Sequence, residues 1–513
     1  METLKFLLLL SSFLSLARAD QEQPWVWLDP DSDLEQKPRL SYRSTWQGDR
    51  IMDFSAVGYR GGMDPIPPAP PVKVTLFPGG GGSSDDTEAL QAAINTVSAM
   101  QLDEQGFRGT VKLAKGTFNL GKKSIVINTS GVVIDGSGVD QTLIDAHSLE
   151  AQVLFRIHGN PATTVNSTRS PVVETVPSGS KTLRLSSVAG FSEGDQVSIT
   201  WTWSPQWIQM MNMSDYWRPG YGYKAERIIK TVSTLDSSIQ LDIPLPFRMD
   251  MNYLDEAHGA SVEKISTAPR IARVALQNFK AVKNITFPGT GCFLKMQDVE
   301  DAWITDLELH DFSGTILKYP RELLHTSIAI AGTRVTAQNL VLHRTANATK
   351  GPKPFDIALH RPGQQILVRN VTISGNREYS FITGDSIAGP NVFHNCTGFG
   401  ANTAQPHMRF ATGLLYDNLR IPDGGIEMIN RRWFGSGHGI AAGFSVAWNT
   451  ESKSLQVISS PGAANWALGC RAQEVNDKIQ GISEPGFVDA VLDPRIPSLF
   501  LAQRHAAGMP AVF

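Results

Sequence analysis

A short apolar pattern recurs through the second half of the sequence, and few folds can accommodate it. The run Val282–Phe287 is followed 22 residues later by the similar run Ile304–Leu309. Four later runs repeat the pattern, and three of them carry asparagines 25 and 23 residues apart: Ala337–Leu342, Val368–Ile373, Phe393–Thr397 and Tyr416–Leu419, with Asn370, Asn395 and Asn418. A unit of this length with two or three short strands and no helix cannot bury its own apolar side, whereas stacked units share one core. The repeat therefore predicts a parallel β-solenoid over residues 278–484.

The segment before the repeat is predicted to start the same solenoid and to carry one helix. Asp86 or Thr87 is placed to cap that helix, and the apolar residues that follow have a 3.6-residue period. Short strand-like runs then alternate with Gly, Lys and Asn turns: Gly109–Leu113, Ser124–Ile127 and Val132–Gly136. We therefore expect residues 72–154 to form the first coils, with an N-terminal capping helix that begins near residue 86.

Residues 155–277 have a different pattern, which predicts a β-rich insertion. Strand-like runs surround a long loop, at Lys181–Leu185, Asp195–Ile199 and Ser238–Leu241. The loop holds seven aromatic residues: Trp201, Trp203, Trp207, Tyr216, Trp217, Tyr221 and Tyr223. Trp and Tyr combine a large apolar face with a polar group, so one interpretation is a platform on which sugars stack. A small apolar core under the loop is an equal alternative.

The two ends of the sequence carry signals of their own. Residues 1–19 place a lysine before an apolar run and end in Ala-Arg-Ala, which is typical of a cleaved secretion signal. We therefore expect a secreted, extracellular protein. Seven Asn-x-Ser/Thr triplets are compatible with a glycosylated export product: Asn128, Asn166, Asn212, Asn284, Asn347, Asn370 and Asn395. Residues 20–71, which end in a proline-rich stretch, are predicted to be an extended spacer. Residues 485–513 are predicted to form a C-terminal cap that includes a helix.

Composition narrows the choice of partners. Lys and Arg number 46 and Asp and Glu 49, a net charge of −3, which does not favour a nucleic-acid partner. The N-terminal apolar run is shorter than the roughly 20 residues that span a bilayer, so no membrane partner is expected. Three cysteines, Cys292, Cys396 and Cys470, either form one disulfide or lie buried as small apolar residues, and the sequence does not decide between these alternatives.

The first coils resemble those of a known superfamily. Asp85–Thr87 with Leu90–Ile94, then Gly109–Phe118 and Val132–Gly138, are similar to the opening turns of the pectate-lyase-like superfamily. The resemblance implies an all-β fold, a single-stranded right-handed parallel β-helix, and usually an activity on carbohydrate. That superfamily includes polysaccharide lyases, glycoside hydrolases, esterases, epimerases and phage adhesins, and a shared fold does not determine the reaction.

Two segments concentrate the residue types that carry chemistry, residues 405–413 and 430–439. Three pairs or series step by 22 residues, so each is predicted to stack across neighbouring coils: Asp385 with His407, Arg409 with Arg431, and His394 with Tyr416 and His438. Two stacked arginines repel each other unless an anion lies between them, and a uronate carboxylate fits a guanidinium fork. Each ladder taken alone is equally compatible with a structural role.

The residues then predict β-elimination from an acidic polysaccharide. In this reaction a cation neutralises the uronate carboxylate, a base removes the neighbouring proton, and an acid assists the leaving oxygen. Arg409 and Arg431 are predicted to neutralise charge, and His407 to be the base that Asp385 orients. Tyr416 or His438 is predicted to be the acid. The predicted substrate-binding residues are Arg432, Trp433 and His394, although Trp433 equally suits a cover over the core, and either Arg431 or Arg432 must face away from the other.

Two other functions stay open. Gly437–Gly439 looks like the Gly-His-Gly of the polygalacturonase hydrolases, with Asp417 the one carboxylate left at the corresponding positions, whereas hydrolysis needs two. A non-catalytic glycan-binding protein is the third interpretation. No cofactor is identified with certainty. Ca²⁺ is a candidate because pectate lyases often use it, and Asp298–Asp311 is an acidic stretch, but a solvated acidic edge is the favoured interpretation there.

Overall fold

The structure is a computed structural model that describes residues 24–32, 38–79, 85–146, 153–255, 258–283, 291–312, 326–344, 355–375, 379–400, 402–475, 484–489 and 492–511. In this part of the chain, strand pairing joins 26 strands into a parallel β-helix, and six more strands form a separate antiparallel sheet. The helical elements are short: Tyr59–Gly62, Thr87–Ser98, Pro205–Met210, Met251–Tyr253, Phe434–Gly437 and Leu499–Ala506. The predicted all-β, parallel β-helix class is therefore confirmed.

The β-helix strands run from residue 72 to residue 489. They are Val72–Leu76, Gly109–Leu113, Gly116–Asn119, Ile125–Ile127, Val132–Asp135, Thr142–Asp145, Val153–His158, Ile271–Ala272, Ala275–Val282, Cys292–His310, Thr326–His343, Phe355–Leu359, Ile366–Ser374, Tyr379–Asp385, Ala388–His394, Thr397–Gly398, Thr403–Met408, Ala411–Asp417, Arg420–Met428, Ala442–Gly443, Val446–Trp448, Glu451–Ser459, Trp466–Leu468, Arg471–Val475, Glu484–Pro485 and Phe487–Asp489. All pair in parallel except Glu484–Pro485, which pairs antiparallel with the end of its neighbour.

Coil length varies along the β-helix. Leu294 lies opposite Ile328, whereas Val446 lies opposite Trp466, so the first of these coils is much longer than the second. Val282 lies opposite His310, and not opposite Ile304 as the alignment of the first two predicted repeats requires. A constant step along the chain is therefore wrong as the general register, because the turns between strands differ in length.

Asparagines at one turn form a ladder across the coils. Asn370 Nδ2 donates to Asn339 Oδ1 (3.3 Å), and Asn395 Nδ2 donates to Asn370 Oδ1 (2.9 Å). Asn449 Nδ2 donates in the same way to Asn418 Oδ1 (2.8 Å). All five have positive φ, between 49° and 54°, a conformation that asparagine tolerates better than most residues. The predicted equivalence of the asparagines at 370, 395 and 418 is confirmed.

The predicted capping helix is present at Thr87–Ser98. It buries Leu90, Ile94 and Val97 against the core inside the first coils. The carboxylate of Asp86 accepts from the backbone N–H groups of Gly79 (2.9 Å) and Asn119 (2.9 Å), so it ties the helix start to the first coil.

The antiparallel sheet is the insertion. Its strands lie in the order Thr163–Pro171, Ala260–Ser266, Gln196–Thr202, Gly222–Ser233, Ser238–Leu241 and Thr182–Arg184. The insertion sheet thus spans 163–266, a narrower range than the predicted 155–277. The difference arises because Val153–His158 and Ala275–Val282 pair with coils of the β-helix.

The insertion sheet packs on the outer face of the coils through a second apolar core. Five of the seven aromatic residues of its loop are buried there: Trp201, Trp203, Trp207, Trp217 and Tyr223. The rings of Trp207 and Trp217 lie 5.6 and 5.8 Å from that of Phe410 in the β-helix. The core interpretation therefore holds for these five, while Tyr216 and Tyr221 stay partly exposed.

The N-terminal segment is not a free spacer. Its strands Val26–Leu28 and Leu40–Tyr42 pair with each other, and the ring of Trp25 lies 5.7 Å from that of Trp466 in a late coil. Tyr59 N donates to Thr336 Oγ1 (2.8 Å) in the middle of the β-helix. At its end, Thr110 N in an early coil donates to Pro71 O (3.0 Å). This segment therefore runs along the side of the coils from the last to the first.

The C-terminal helix Leu499–Ala506 lies beside the coils instead of closing their end as predicted. Phe500 N and Ser498 Oγ both donate to Asp417 Oδ2 (2.7 Å each). Gln503 Oε1 accepts from Phe54 N (2.8 Å), so the helix also holds the N-terminal segment. A buried outward-facing carboxylate attracts the helix N-terminus to this position, because the first N–H groups of a helix need acceptors.

The structure also shows the state of the three cysteines. All three cysteines are free thiols, and burial raises the pKa of Cys292 and Cys396 to about 12. Cys292 Sγ donates to Leu294 O, as expected of a buried thiol with little reactivity.

No helix among the described residues is long and apolar enough to cross a membrane. The predicted signal, residues 1–19, lies outside the described residues.

Asp417→Asn is expected to change how stability depends on pH. Burial raises the pKa of Asp417 from 3.8 to about 7, so this group costs stability as pH rises from about 4 to about 7. Asparagine keeps an oxygen to accept both bonds and carries no charge. The variant should therefore become more stable than the unmodified protein as pH rises. The difference between their free energies of unfolding should grow by roughly 2 kcal/mol between about pH 5 and about pH 8. Denaturant titration at several pH values measures both free energies of unfolding, and Asp140→Asn, at an exposed position, is the control. A difference that does not change with pH would contradict the raised pKa of Asp417.

Candidate functional site

One loop leaves the coils and folds back beside the insertion. Residues 430–440 form this excursion, whose ends are joined by an antiparallel bridge between Asn430 and Ile440. Its side chains meet the ends of the strands Tyr379–Asp385 and Thr403–Met408. We name the groove between the loop, these strand ends and the insertion sheet the seam.

Two glycines let the loop approach its neighbours. A Cβ on Gly435 would lie 2.2 Å from the ring of His438, and a Cβ on Gly439 would lie 2.6 Å from Nε1 of Trp217. Both glycines have positive φ, 58° and 64°. Trp217 Nε1 donates to His438 O (3.2 Å), so the insertion fixes the position of His438 directly. Gly435 and Gly439 therefore serve backbone geometry here.

Arg431 binds two side chains of the seam at once. Its Nη1 lies 2.7 Å from Nδ1 and 3.0 Å from Nε2 of His407 and donates to the backbone O of the same residue (3.0 Å). Its Nη2 donates to the hydroxyl of Tyr379 (3.0 Å). A guanidinium N–H only donates, so this contact requires a neutral His407 ring with a free lone pair. No carboxylate pairs with Arg431 among the described residues.

His438 lies between the two predicted arginines. Its ring is 4.9 Å from that of His407, and its backbone O accepts from Arg409 N (3.0 Å). Burial, with repulsion from Arg431 and Arg409, lowers the pKa of His438 to about 4. His438 is therefore neutral near pH 7, which makes it a poor proton donor, and the predicted acid role does not suit it.

Arg409 contacts the other side of the seam. It has a φ of 52°, just beyond the end of its strand. Its Nη1 donates to Asp385 Oδ2 (3.1 Å) and its Nη2 to Ser436 Oγ (2.8 Å). Asp385 also accepts from Ser386 Oγ (2.7 Å) and lies 3.8 Å from Nη2 of Arg361. One carboxylate thus balances two guanidinium groups, and one positive charge is left over.

The predicted contact of Asp385 with His407 is wrong. Asp385 lies opposite Met408 instead, so the offset between these strands is one residue longer than predicted at that point. Side chains alternate between the two faces of a strand, and an error of one residue therefore exchanges the face. The carboxylate of Asp385 binds Arg409, and the ring of His407 is held by Arg431.

Tyr416 and His394 also lie away from the seam. Tyr416 lies opposite Phe393, is fully buried in the core inside the coils, and donates to Phe381 O (2.9 Å). Burial raises the pKa of Tyr416 well above its ordinary value, and no substrate can reach it. His394 faces outward under the C-terminal helix, with its ring 5.3 Å from that of Phe500. The predicted acid and the predicted substrate contact are therefore wrong.

Exposed residues of the loop border the seam. Arg431 is buried whereas Arg432, in the turn that follows, is exposed. Trp433 is 64% exposed, and its ring lies 4.7 Å from that of Tyr216 in the insertion. Trp433 therefore does not cover the core, and its binding of substrate, like that of Arg432, stays a prediction.

The carboxylate predicted to assist His438 in hydrolysis lies away from the seam. Asp417, the predicted partner of His438, is fully buried under the C-terminal helix. In the acidic stretch, Asp301 and Glu300 pair with Arg334 (2.7 and 3.3 Å), and Glu308 with Lys280 (2.7 Å). The described residues contain no group of three or more His, Cys, Asp or Glu arranged to hold a metal ion. This stretch does not fit the oxygen-rich cage that Ca²⁺ requires.

Three site residues had no role in the sequence prediction. Tyr379, Arg361 and Ser436 sit at strand ends or in turns, where neither period nor motif distinguishes them. Tyr221 was one of seven aromatic residues with two open interpretations. Its ring lies 5.7 Å from the guanidinium carbon of Arg361 and 5.6 Å from that of Arg409, so it is the insertion residue that contacts both.

The chain was compared with protein-family models, with curated protein sequences and with solved structures. No protein-family model and no curated protein sequence matches the chain. Among solved structures, it is similar to the tailspike protein gp49 of Pseudomonas phage LKA1, with 13% identity and a TM-score of 0.44 over 77% of this chain and 65% of that one. It is also similar to a tailspike of E. coli bacteriophage HK620 (9% identity, TM-score 0.38, 79% and 56%) and to the iota-carrageenase of A. fortis (12%, 0.35, 77% and 58%). The chain thus spans somewhat less than two thirds of these proteins.

The pKa of His438 is expected to depend on Arg431. In Arg431→Gln the repulsion is lost while burial remains, so the pKa should rise from about 4 toward the ordinary 6.5. NMR titration of histidine labelled at Cε1 measures the shift, with exposed Arg420→Gln as the matched control. A resonance of His438 that titrates near 6.5 in the unmodified protein would contradict the proposed electrostatics.

Proposed function

We propose that this chain is a secreted polysaccharide lyase that cleaves an acidic polysaccharide by β-elimination at the seam. One observation carries the proposal: two guanidinium groups, two imidazoles and a phenol meet there, while the carboxylate of Asp385 is already bound by arginines. The residues are Arg409, Arg431, His407, His438 and Tyr379. A positively charged site of this kind suits an anionic sugar.

Charge neutralisation is the first requirement of β-elimination. The proton next to a uronate carboxylate becomes acidic only when the developing negative charge is stabilised. Arg431 carries a charge without a carboxylate partner in the described part of the chain, and Arg409 shares Asp385 with Arg361. These two arginines are placed to bind the carboxylate of the substrate.

His407 is the proposed base. Its ring accepts from Arg431 and is partly exposed to the seam, unlike the more buried His438. In the proposed step Arg431 transfers its N–H hydrogen bond from His407 to the substrate carboxylate, and the ring lone pair of His407 that this releases takes the proton from the carbon beside the carboxylate. The electron pair of that C–H bond forms the new carbon–carbon double bond, and the glycosidic carbon–oxygen bond breaks.

Tyr379 is the proposed acid, in place of Tyr416. The leaving oxygen receives the phenolic proton of Tyr379, and the tyrosinate that results lies against Arg431. Nη2 of Arg431 lies 3.0 Å from the phenol oxygen and is placed to donate a hydrogen bond to the tyrosinate. The proton on His407 then returns to Tyr379 through solvent, which restores the site.

Location and partners follow from the sequence and stay part of the proposal. The signal pattern in residues 1–19 supports export, and the balanced net charge of −3 gives no support for a nucleic-acid partner. The substrate class follows from the arginines at the seam, not from the composition.

The test follows product formation by two signals on a panel of uronate polysaccharides. A lyase raises the ultraviolet absorbance of the unsaturated product together with new reducing ends. His407→Ala should lower the rate by about a hundredfold or more, because a positioned base typically contributes that much. His343→Ala is the matched control, since His343 lies on another face and bonds Ser374.

Each pattern of signals separates the candidates. Both signals, lost in His407→Ala and kept in His343→Ala, support the proposal. Reducing ends without absorbance would replace elimination by hydrolysis, and neither signal on any polymer of the panel would favour a glycan-binding protein.

A further inference from the structure

A wide cleft opens on the insertion side of the seam. Its volume is about 750 Å³, within the range typical of ligand sites and large enough for more than one sugar ring. The floor comes from the turn Arg361–Gly363 and from Ser386 and Ala388 of the β-helix, and the wall comes from Thr200–Thr202 and Pro219–Lys224 of the insertion. The cleft adjoins the proposed reaction centre because Arg409 lies against Tyr221, one of its lining residues.

The cleft carries unbalanced positive charge. Lys224 is exposed and has no acidic partner in the described part of the chain. Arg361 has only Asp385, at 3.8 Å, and Asp385 lies closer to Arg409, at 3.1 Å. The positive charges of Lys224 and Arg361 are therefore balanced only in part, because the carboxylate of Asp385 is shared with Arg409. An anionic group from solution would be attracted to the cleft.

The same cleft offers the other contacts that a sugar uses. The ring of Tyr221 forms part of its wall and lies near the guanidinium groups of Arg361 and Arg409. Hydroxyl groups of Thr200 and Thr202 line the cleft as well. An aromatic face with hydroxyls and cations around it suits a charged sugar ring.

We propose that this cleft is a second subsite, which binds an acidic sugar residue next to the one that reacts. The inference rests on the proposed function and specifies its substrate: a polymer whose neighbouring sugars carry carboxylate or sulfate groups. Asp385 occupies the position between two arginines that an anion of the ligand would otherwise take. It therefore competes with the ligand and limits its affinity.

The test measures binding by calorimetry, with His407→Ala as the background so that no ligand is cleaved. The probes are oligomers of galacturonate, of sulfated galactose and of neutral galactose, which separate carboxylate, sulfate and neutral sugars. An anionic oligomer should bind at least tenfold more tightly than the neutral one. Lys224→Ala and Arg361→Ala should each weaken that binding by roughly tenfold to a hundredfold, the usual value of a hydrogen bond to a charged group.

Two further variants make the result specific. Lys230→Ala is the matched control, since Lys230 is exposed on the same strand, Gly222–Ser233, but does not line the cleft. Asp385→Asn removes the competing charge and should tighten binding of the anionic oligomer severalfold. A merely structural role for Asp385 would weaken it.

The outcomes distinguish the subsite from the reaction. Anionic binding that is lost in Lys224→Ala and Arg361→Ala, and kept in Lys230→Ala, supports the subsite even if no polymer is cleaved. Cleavage with unchanged binding in these two variants would overturn the subsite and leave the lyase proposal standing. Equal affinity for neutral and anionic oligomers, or no binding, would also overturn it.

Discussion

Apolar packing between the insertion sheet and the outer face of the coils fixes the position of every group at the seam. Trp207, Trp217 and Tyr223 cover Phe410, and the hydroxyl of Tyr223 donates to the backbone O of Phe410. Buried Arg227 adds donors to Gln364 (3.0 Å) and to Gly389 O (3.1 Å) in the β-helix. A buried aromatic contact of this size contributes several kcal/mol to holding the insertion against the β-helix.

This packing allows arginines to dominate the site. Arg361 and Arg409 share Asp385, and Arg409 and Arg431 both lie near His438, so like charges repel at this site. Asp385 offsets part of that repulsion, Tyr221 and Tyr379 provide aromatic faces, and His438 responds by staying neutral. The excess charge lies at the surface of the cleft, where an acidic polymer can neutralise it, and this is the physical basis of the proposed substrate class.

The β-helix and its capping helix could be predicted because they follow from local periods. The asparagine ladder was predicted for the same reason, since Asn370, Asn395 and Asn418 mark one turn whose spacing is nearly constant. The site was predicted only in part: His407, Arg409, Arg431 and His438 do meet. Tyr416 was misplaced because the offset between its strand and the preceding one is one residue longer than predicted, which turns its side chain to the inner face. His394 faces outward as the site residues do, but it lies on another strand, under the C-terminal helix. The sequence marked the aromatic loop of the insertion but not which of its rings reach the seam, because that depends on contacts between distant parts of the chain.

The seam, and not another face of the β-helix, is the proposed binding site for an acidic saccharide. The most direct measurement is a crystal structure of the His407→Ala variant with an acidic oligosaccharide bound. The account predicts a saccharide carboxylate against Arg431 and Arg409, with the next sugar beside Tyr221 and Lys224. A saccharide bound on another face of the coils, with the seam left empty, would contradict it.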